Sequence, residues 1–334
     1  MGNIPNLFIQ KISHKGKTLD LAFMREANFI ETLDMSGPRL MLSFYDPYSV
    51  LKDDLGIKER DELNVSIEDS LQLDGIDKDF VFTILTIPTA ADVVKFNCFQ
   101  KDIGASKIPS KESIVFTQKP VDVLLRRIFP NLRADTGSFP VVEDYHVLPG
   151  QRPSAMIRQL AREKGALCFF QRGKIVFKTL AELFKQSARV KYQDDNIKAK
   201  NQVGFSNSNG SSGIIKDRLS RSYVGWDMEK GFVRSGVTQG DQGGDSNEVP
   251  MHFAPHSNPI TLGNLQFAPV PSVDFVVIGN GNIMPGITME IKWNETRQDA
   301  PIDEGMPPKI VVSTVAHYYS KNKYYCRVKG VVPQ

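Results

Sequence analysis

Cysteine is scarce in this chain of 334 residues: only Cys98, Cys168 and Cys326 occur, in apolar-aromatic surroundings (KFNCFQ, ALCFFQ, KYYCRV) and seventy or more residues apart. An odd, scattered set without a CxxC favours buried reduced thiols over a disulfide or metal framework, and fits folding in a reducing cytoplasm. Long hydrophobic runs are also missing. No stretch approaches the roughly eighteen apolar residues of a membrane helix. The first thirty residues lack the basic start, apolar middle and small-residue cleavage site of a secretory leader. The start MGNIPN has Asn6 where an N-myristoylation signal needs Ser or Thr.

What is present is an ordinary globular composition, 41% hydrophobic and 24% charged, with length enough for two or three domains. The net charge of +3 hides an uneven distribution. Residues 1–100 hold 10 basic and 16 acidic residues, 101–200 hold 19 and 10, and 201–334 hold 12 and 12. The middle third is therefore a separate basic unit. Its Lys and Arg residues are spread out rather than clustered, which favours a solvated or partner-facing surface over phosphate binding.

The hydropathy pattern changes at the same places. Residues 1–100 read as short strands: the runs around the turn SHKGK, RLMLSFYDPY, the alternating ELNVSIED, and the hairpin FVFTILTIPTAADVVKFNCFQ. Such spacing predicts a barrel or sandwich. Residues 101–195 read as α+β. KPVDVLLRRIFP places Val121, Leu124, Leu125 and Ile128 on one helical stripe, with Pro120 at the first position. RPSAMIRQLAREKG is a second helix ending at Gly165, followed by a hairpin around QRGK and a short helix at TLAELF. Residues 196–334 begin with a polar linker or loop, GFSNSNGSSG, and return to strands at NLQFAPV, VDFVVIG, ITMEIKWN and IVVSTVAHYYSKNKYYCRVKG. The last of these and FVFTILTIPTAADVVKFNCFQ share strand, loop, strand and a Lys-aromatic-x-Cys sequence, Lys95-Phe96-x-Cys98 against Lys323-Tyr324-x-Cys326. An internal repeat of two β domains, 1–100 and 196–334, interrupted by the basic insert 101–195, is the expected organisation.

Candidate chemistry is thin. His317 shares a strand face with Val315 and Tyr319 and has no ligand partner at metal spacing, so a hydrogen-bonded framework histidine is favoured. GNGNIMPG (279–286) precedes a strand rather than a helix, and reads as a turn rather than a dinucleotide loop. DGIDKD (74–79) breaks the calcium-loop order. Asp53/Asp54 and Asp194/Asp195 are adjacent residues that point apart; His14, His146, His252 and His256 sit in loops, the last two as HFAPH without a further ligand. No HExxH, P-loop or nucleophile elbow occurs. No catalytic, cofactor or metal residue is assigned.

Two segments carry a family likeness. LPGQRPSAMIRQLAREKGALCFFQRGKIVF, through Leu160, Gly165, Phe169, Phe170, Gly173, Ile175 and Phe177, resembles the contractile-tail baseplate hub family, which includes phage late control protein D and the VgrG proteins of type VI secretion. MPGITMEIKWN with the terminal hairpin is similar to that family's second tube-type barrel, and GPRLMLSFYDPYSVLKDDLGIKERDELNVSIED to its first. The resemblance implies a mainly β fold with an α+β insert, two similar tube-type barrels per chain, and a homotrimer forming a pseudo-six-fold ring. It further implies a structural baseplate hub rather than an enzyme. Its partners would be a tail tube or tube-initiator protein, a central spike, wedge proteins, and tape-measure protein or DNA in the lumen. No membrane insertion is expected, and the location would be the virion tail baseplate, assembled in the host cytoplasm. VgrG chains continue into a spike, whereas this sequence ends four residues after Gly330, so the spike is expected on another chain. The acidic first third is expected along a passage wall. A tail-tip cell-wall hydrolase and a basic nucleic-acid-binding module are the alternatives.

Overall fold

A computed structural model of the chain describes residues 9–67, 78–139, 144–194, 202–208, 222–234, 251–254, 258–267, 269–293, 306–320 and 323–333. The described residues are mainly β, with helices concentrated in the middle third.

The first third contains β1 (Ile9–His14), β2 (Lys17–Thr18), β3 (Met24–Thr32), β4 (Arg39–Tyr45), β5 (Glu62–Ile67), β6 (Lys78–Thr86), β7 (Thr89–Ala90) and β8 (Val93–Gln100). They pair antiparallel in the order β1-β5-β6-β8-β4-β3, with β2 on β1 and β7 on β8. Alternation drives this arrangement: Leu63, Val65 and Ile67 turn one face of β5 into a core that includes Phe29, Phe44, Phe82 and Phe96.

The middle third comprises α1 (Lys101–Ser106), β9 (Ile114–Phe116), α2 (Val121–Ile128), β10 (Arg133–Thr136), β11 (Tyr145–Val147), α3 (Pro153–Glu163), β12 (Leu167–Phe170), β13 (Lys174–Lys178) and α4 (Leu180–Lys185). The stripe read from the sequence is buried at Val121, Leu124 and Leu125, with Pro120 standing as the cap rather than in the first turn. α3 opens on Pro153, and Gly165 follows it at φ +61°, where a Cβ would run into the backbone of Asn264 and Leu265. α4 opens on a reciprocal capping box between Thr179 and Glu182.

The last part contains β14 (Val190–Asp194), β15 (Gln202–Ser208), β16 (Ser222–Asp227), β17 (Gly231–Arg234), β18 (Met251–Phe253), α5 (Pro259–Leu265), β19 (Pro269–Ile278), β20 (Thr288–Lys292), β21 (Lys309–Ser320) and β22 (Lys323–Pro333). Three expectations are corrected here. Residues 202–208, read as linker, form β15, because Val203–Ser208 find backbone partners on β19 that their composition does not reveal. NLQFAPV is not one strand: Asn264 and Leu265 end α5, capped by Asn258, and β19 starts at Pro269. β14, counted with the insert, pairs with β20 and β15. The DGIDKD segment lies outside the described residues save Lys78 and Asp79, as do Asp195 and His256.

In spatial order the six long strands of the last part run β14-β20-β21-β22-β19-β15, and the β14·β15 pairing closes them into a ring. This matches the first third strand for strand in chain order: β1, β3, β4, β5, β6, β8 correspond to β14, β15, β19, β20, β21, β22. All the corresponding pairings are antiparallel except that β14 runs parallel to β20 where β1 runs antiparallel to β5. Two bulges recur at equivalent places, between Met24 and Glu26 as between Val203 and Phe205, and between Ile84 and Thr86 as between Val312 and Thr314. Aligning the bulges sets Leu40 on Val273 and Cys98 on Gly330, the same result from both ends. The Lys-aromatic-x-Cys likeness is therefore four residues out of register: the counterpart of Cys326 is Val94.

Candidate functional site

The two halves meet at one junction. β21 is twelve residues long and changes neighbour along its length: Lys309–Val311 pair with β20, and Thr314–Ser320 pair antiparallel with Thr32–Glu26 of β3. The bulge at Ser313 marks the exchange, and its carbonyl accepts from Leu33 N. It also breaks the simple alternation read from the sequence, so that Ile310 and Val312 share the core side with Val315 and His317, while Val311 joins Leu33, Phe169, Leu180 and Leu183 against the insert. A continuous antiparallel path β6-β8-β4-β3-β21-β22-β19-β15 results, running across both halves.

A buried polar network sits under this junction. The β12–β13 turn holds Arg172 at φ +35° and Gly173 at φ +84°, which points the guanidinium into the interface. Arg172 donates to Glu31 Oε2 on β3 (2.9 and 3.2 Å), to the Ile283 carbonyl (3.1 Å) and to the Gly281 carbonyl. His317 Nε2 lies 3.0 Å from the Ile283 carbonyl and 3.6 Å from Glu31, and Nδ1 lies 2.7 Å from the Tyr324 hydroxyl and 3.2 Å from Cys326 Sγ. One arginine thus ties the insert to both halves. GNGNIMPG turns as expected, at Gly281–Asn282 and Pro285–Gly286, but within a fully buried loop whose carbonyls serve this arginine, with Gln171 donating to the Pro285 carbonyl as well.

Electrostatics follow from burial and pairing. Burial alone would raise the Glu31 carboxyl, but Arg172 and His317 outweigh it and hold it below its ordinary value. Burial would lower His317, yet Cys326 and Glu31 raise it; burial would raise Cys326, yet His317 and the Asn280 N–H lower it. Each member of the pair thus shifts the other, His317 upward and Cys326 downward. Cys98 behaves otherwise: in apolar surroundings its thiol is pushed up to about 12, and burial raises Cys168 too. The sequence reading gave His317 no carboxylate or thiol partner: Glu31 is 286 positions away and only the β3·β21 register brings it near, while Cys326, nine residues on, meets it through the β21·β22 register.

The other candidate residues are dispersed. His14 pairs with Asp61 at 3.0 Å, His252 lies beside the Tyr223 ring, and Asp53 and Asp54 occupy the turns between β4 and β5. The acidic residues of that connection lie in the loop and not along the continuous sheet. His146 lines an open groove of about 730 Å³ on the insert, with Asp144, Arg152, Arg158 and Glu163. Glu163 accepts from the Tyr145 hydroxyl and from Gln159. Among the described residues no group of three or more His, Cys, Asp or Glu could hold a metal, and no helix is long and apolar enough to cross a membrane.

No protein-family model and no curated protein matches the sequence. Solved structures do. The 43 kDa tail protein of prophage MuSo2 from Shewanella oneidensis superposes with a TM-score of 0.61 at 11% identity, over 96% of this chain and 97% of that one. A tail protein from Neisseria meningitidis MC58 gives 0.65 at 10% identity, over 96% and 95%. The E. coli c3393 protein, a type VI secretion component described as similar to the T4 tail proteins gp27 and gp5, gives 0.54 at 10% identity, over 97% and 77%. The chain has the fold of these phage-tail and type VI secretion proteins.

Proposed function

We propose that this chain is a structural hub of a contractile tail baseplate, a homotrimer that joins a hexameric tail tube to a central spike. The observation that carries the reading is the repeat: two halves of the same strand order, with matching bulges, joined by the antiparallel β3·β21 junction. A chain built of two equivalent units can present six equivalent places with three copies, the number a hexameric tube requires. In this reading the repeat supplies a contact between copies. The counterpart of β3 is β15, and the counterpart of the β21 arm is the edge from Leu85 to Ala90. That edge is solvent-exposed save for the half-buried Ile87. Pairing β15 of one copy with Thr86–Ala90 of the next repeats the internal junction between subunits. It covers an edge that would otherwise invite indiscriminate pairing.

In this reading the chain works by assembly, not turnover. Its neighbours would be the tube or tube-initiator protein, the spike, wedge proteins, and tape-measure protein or DNA in the passage, within a tail baseplate assembled in the host cytoplasm. Light scattering tests the oligomer. Three chain masses per particle are expected, and a strict monomer at high concentration, unchanged on adding tube or spike protein, contradicts the reading.

A second reading is favoured by one feature only. The groove on the insert is lined by two carboxylates, Asp144 and Glu163, and a tail-tip cell-wall hydrolase would need a pair. Its Glu163 is already engaged by Tyr145 and Gln159, which suits framework better than acid catalysis. Clearing of a peptidoglycan suspension by the protein, lost in Glu163→Gln, would restore the hydrolase.

A further inference from the structure

Six strands of the continuous path, β8-β4-β3-β21-β22-β19, bury one face in the cores and leave most of the other open: on that face Phe99 and Val331 pack against the insert and Ser43 is buried, and the register places the side chains in cross-strand rows. The central row is Ile278, Tyr325, Tyr318, Asn28, Met41 and Asn97. Four of these are large apolar or aromatic residues with a third or more of their surface exposed. The row on one side runs Lys323, Ser320, Glu26, Ser43, Lys95; the row on the other runs Val276, Arg327, Ala316, Ile30, Arg39, Phe99. Lys329 and Asp274 follow in a fourth row, and Arg25 lies over the Tyr45 ring at the margin.

The charges on this face are unbalanced. Among the described strand residues of this face, Arg25, Arg39, Lys95, Lys323, Arg327 and Lys329 stand against Glu26 and Asp274. Asp274 binds Arg327 at 2.8 and 2.9 Å, and Tyr318 donates to Glu26 at 3.2 Å. Lys95 and Arg327 are counterparts in the bulge-aligned repeat, so both halves set a cation at the same place. The face is thus an apolar belt between two cationic margins. It belongs to the strands of the first third as much as to the last.

We propose that this face docks an acidic amphipathic helix of a partner protein, its apolar stripe on the Ile278–Met41 row and its carboxylates on the flanking Lys and Arg. The dimensions agree. Six strands span five gaps of about 4.8 Å, roughly 24 Å, the length of a helix of about sixteen residues. The two cationic rows stand four residues apart along each strand, about 13 Å, close to the 10–12 Å width of a helix with its side chains. Exposed Tyr and Met between the cations suit a protein surface, where such residues enrich interfaces. The proposal adds a partner to the hub reading but does not depend on ring closure, because all six strands lie in one chain.

The test uses the full chain and a fluorescein-labelled sixteen-residue helical peptide with a leucine stripe flanked by glutamates, followed by anisotropy. Saturable binding is expected, weakened by salt, with a peptide carrying lysine in place of glutamate failing to bind. The double variant Arg39→Glu/Lys323→Glu, with unchanged circular dichroism, is expected to bind at least about tenfold more weakly, since charge reversal on both margins turns attraction into repulsion. Equal binding of both peptides, or an unaltered double variant, overturns the proposal. So does tighter binding of a thirty-base-pair duplex with a steep salt slope, which assigns the face to nucleic acid. Sizing the same variant separates this outcome from failure of the trimer.

Discussion

Arg172 and Glu31 are 141 residues apart in sequence, and their side chains meet at 2.9 Å with less than a tenth of either exposed. The pair joins a turn of the insert to a strand of the first half, and His317 and two buried carbonyls of the second half complete it.

Removing one partner leaves a buried charge without compensation. Arg172→Ala is expected to lower unfolding free energy by about 3–5 kcal/mol. Replacing both members together, Arg172→Met with Glu31→Leu, is expected to recover most of that loss, because no ion is then left stranded. Chemical denaturation of the two variants provides the comparison; equal losses in both would show that the ion pair itself is what stabilises the junction.

Acid should act through the same carboxylate. The folded Glu31 value lies below its ordinary 4.5, so its contribution is present above that pH and is lost as pH falls through the folded value. Glu31→Gln is expected to be less stable at neutral pH and to show a flatter decline below about pH 4.5 than the parent. Thermal melts across pH 3–7 read both effects.

His317 titrates in the opposite sense. Its folded value is raised above 6.5, so its contribution is complete below 6.5 and disappears as pH rises through the folded value. Cys326 is one of the groups that raise it, and Cys326→Ser is expected to move the imidazole midpoint downward in a proton NMR titration. A midpoint that stays fixed would remove Cys326 from the account.

The edge between copies is open to a direct trial. Leu85, 55% exposed at the bulge of β6, borders the strand that the next copy is expected to cover. Leu85→Lys should weaken trimer association at least tenfold, about 1.4 kcal/mol, with little change in melting temperature. Mass photometry over a dilution series measures it, and an unchanged oligomer argues for a different contact.

Gly330 occupies the place that Cys98 holds in the first half. A Cβ there would press on the Ile310 side chain and on Val273. Gly330→Ala is expected to cost about 1–3 kcal/mol through overpacking, measurable by denaturant unfolding.

Much of the architecture was legible because local patterns and tertiary burial agree. The stripe Val121, Leu124, Leu125 and the alternation Leu63, Val65, Ile67 both face cores, and Gly165 ends its helix as its type suggests. β15 was not legible: its Ser and Asn residues carry no apolar alternation, and its strand state comes from partners on β19 and β14. The repeat was visible as a topology but not as a motif, since bulges and arm lengths decide equivalence and the shared Cys spacing is out of step with them. The Glu31–Arg172–His317 network left no local trace. Its members are ordinary residues on three separate elements, and only the fold supplies their proximity.

The seven-residue antiparallel run that joins β3 to β21 also has a mechanical meaning. Tension directed along the strands would load all of its hydrogen bonds at once, in shear, instead of peeling them one after another. A chain stitched in this way can pass an abrupt axial force from one half to the other while each half keeps its shape, and would yield far sooner to a sideways pull.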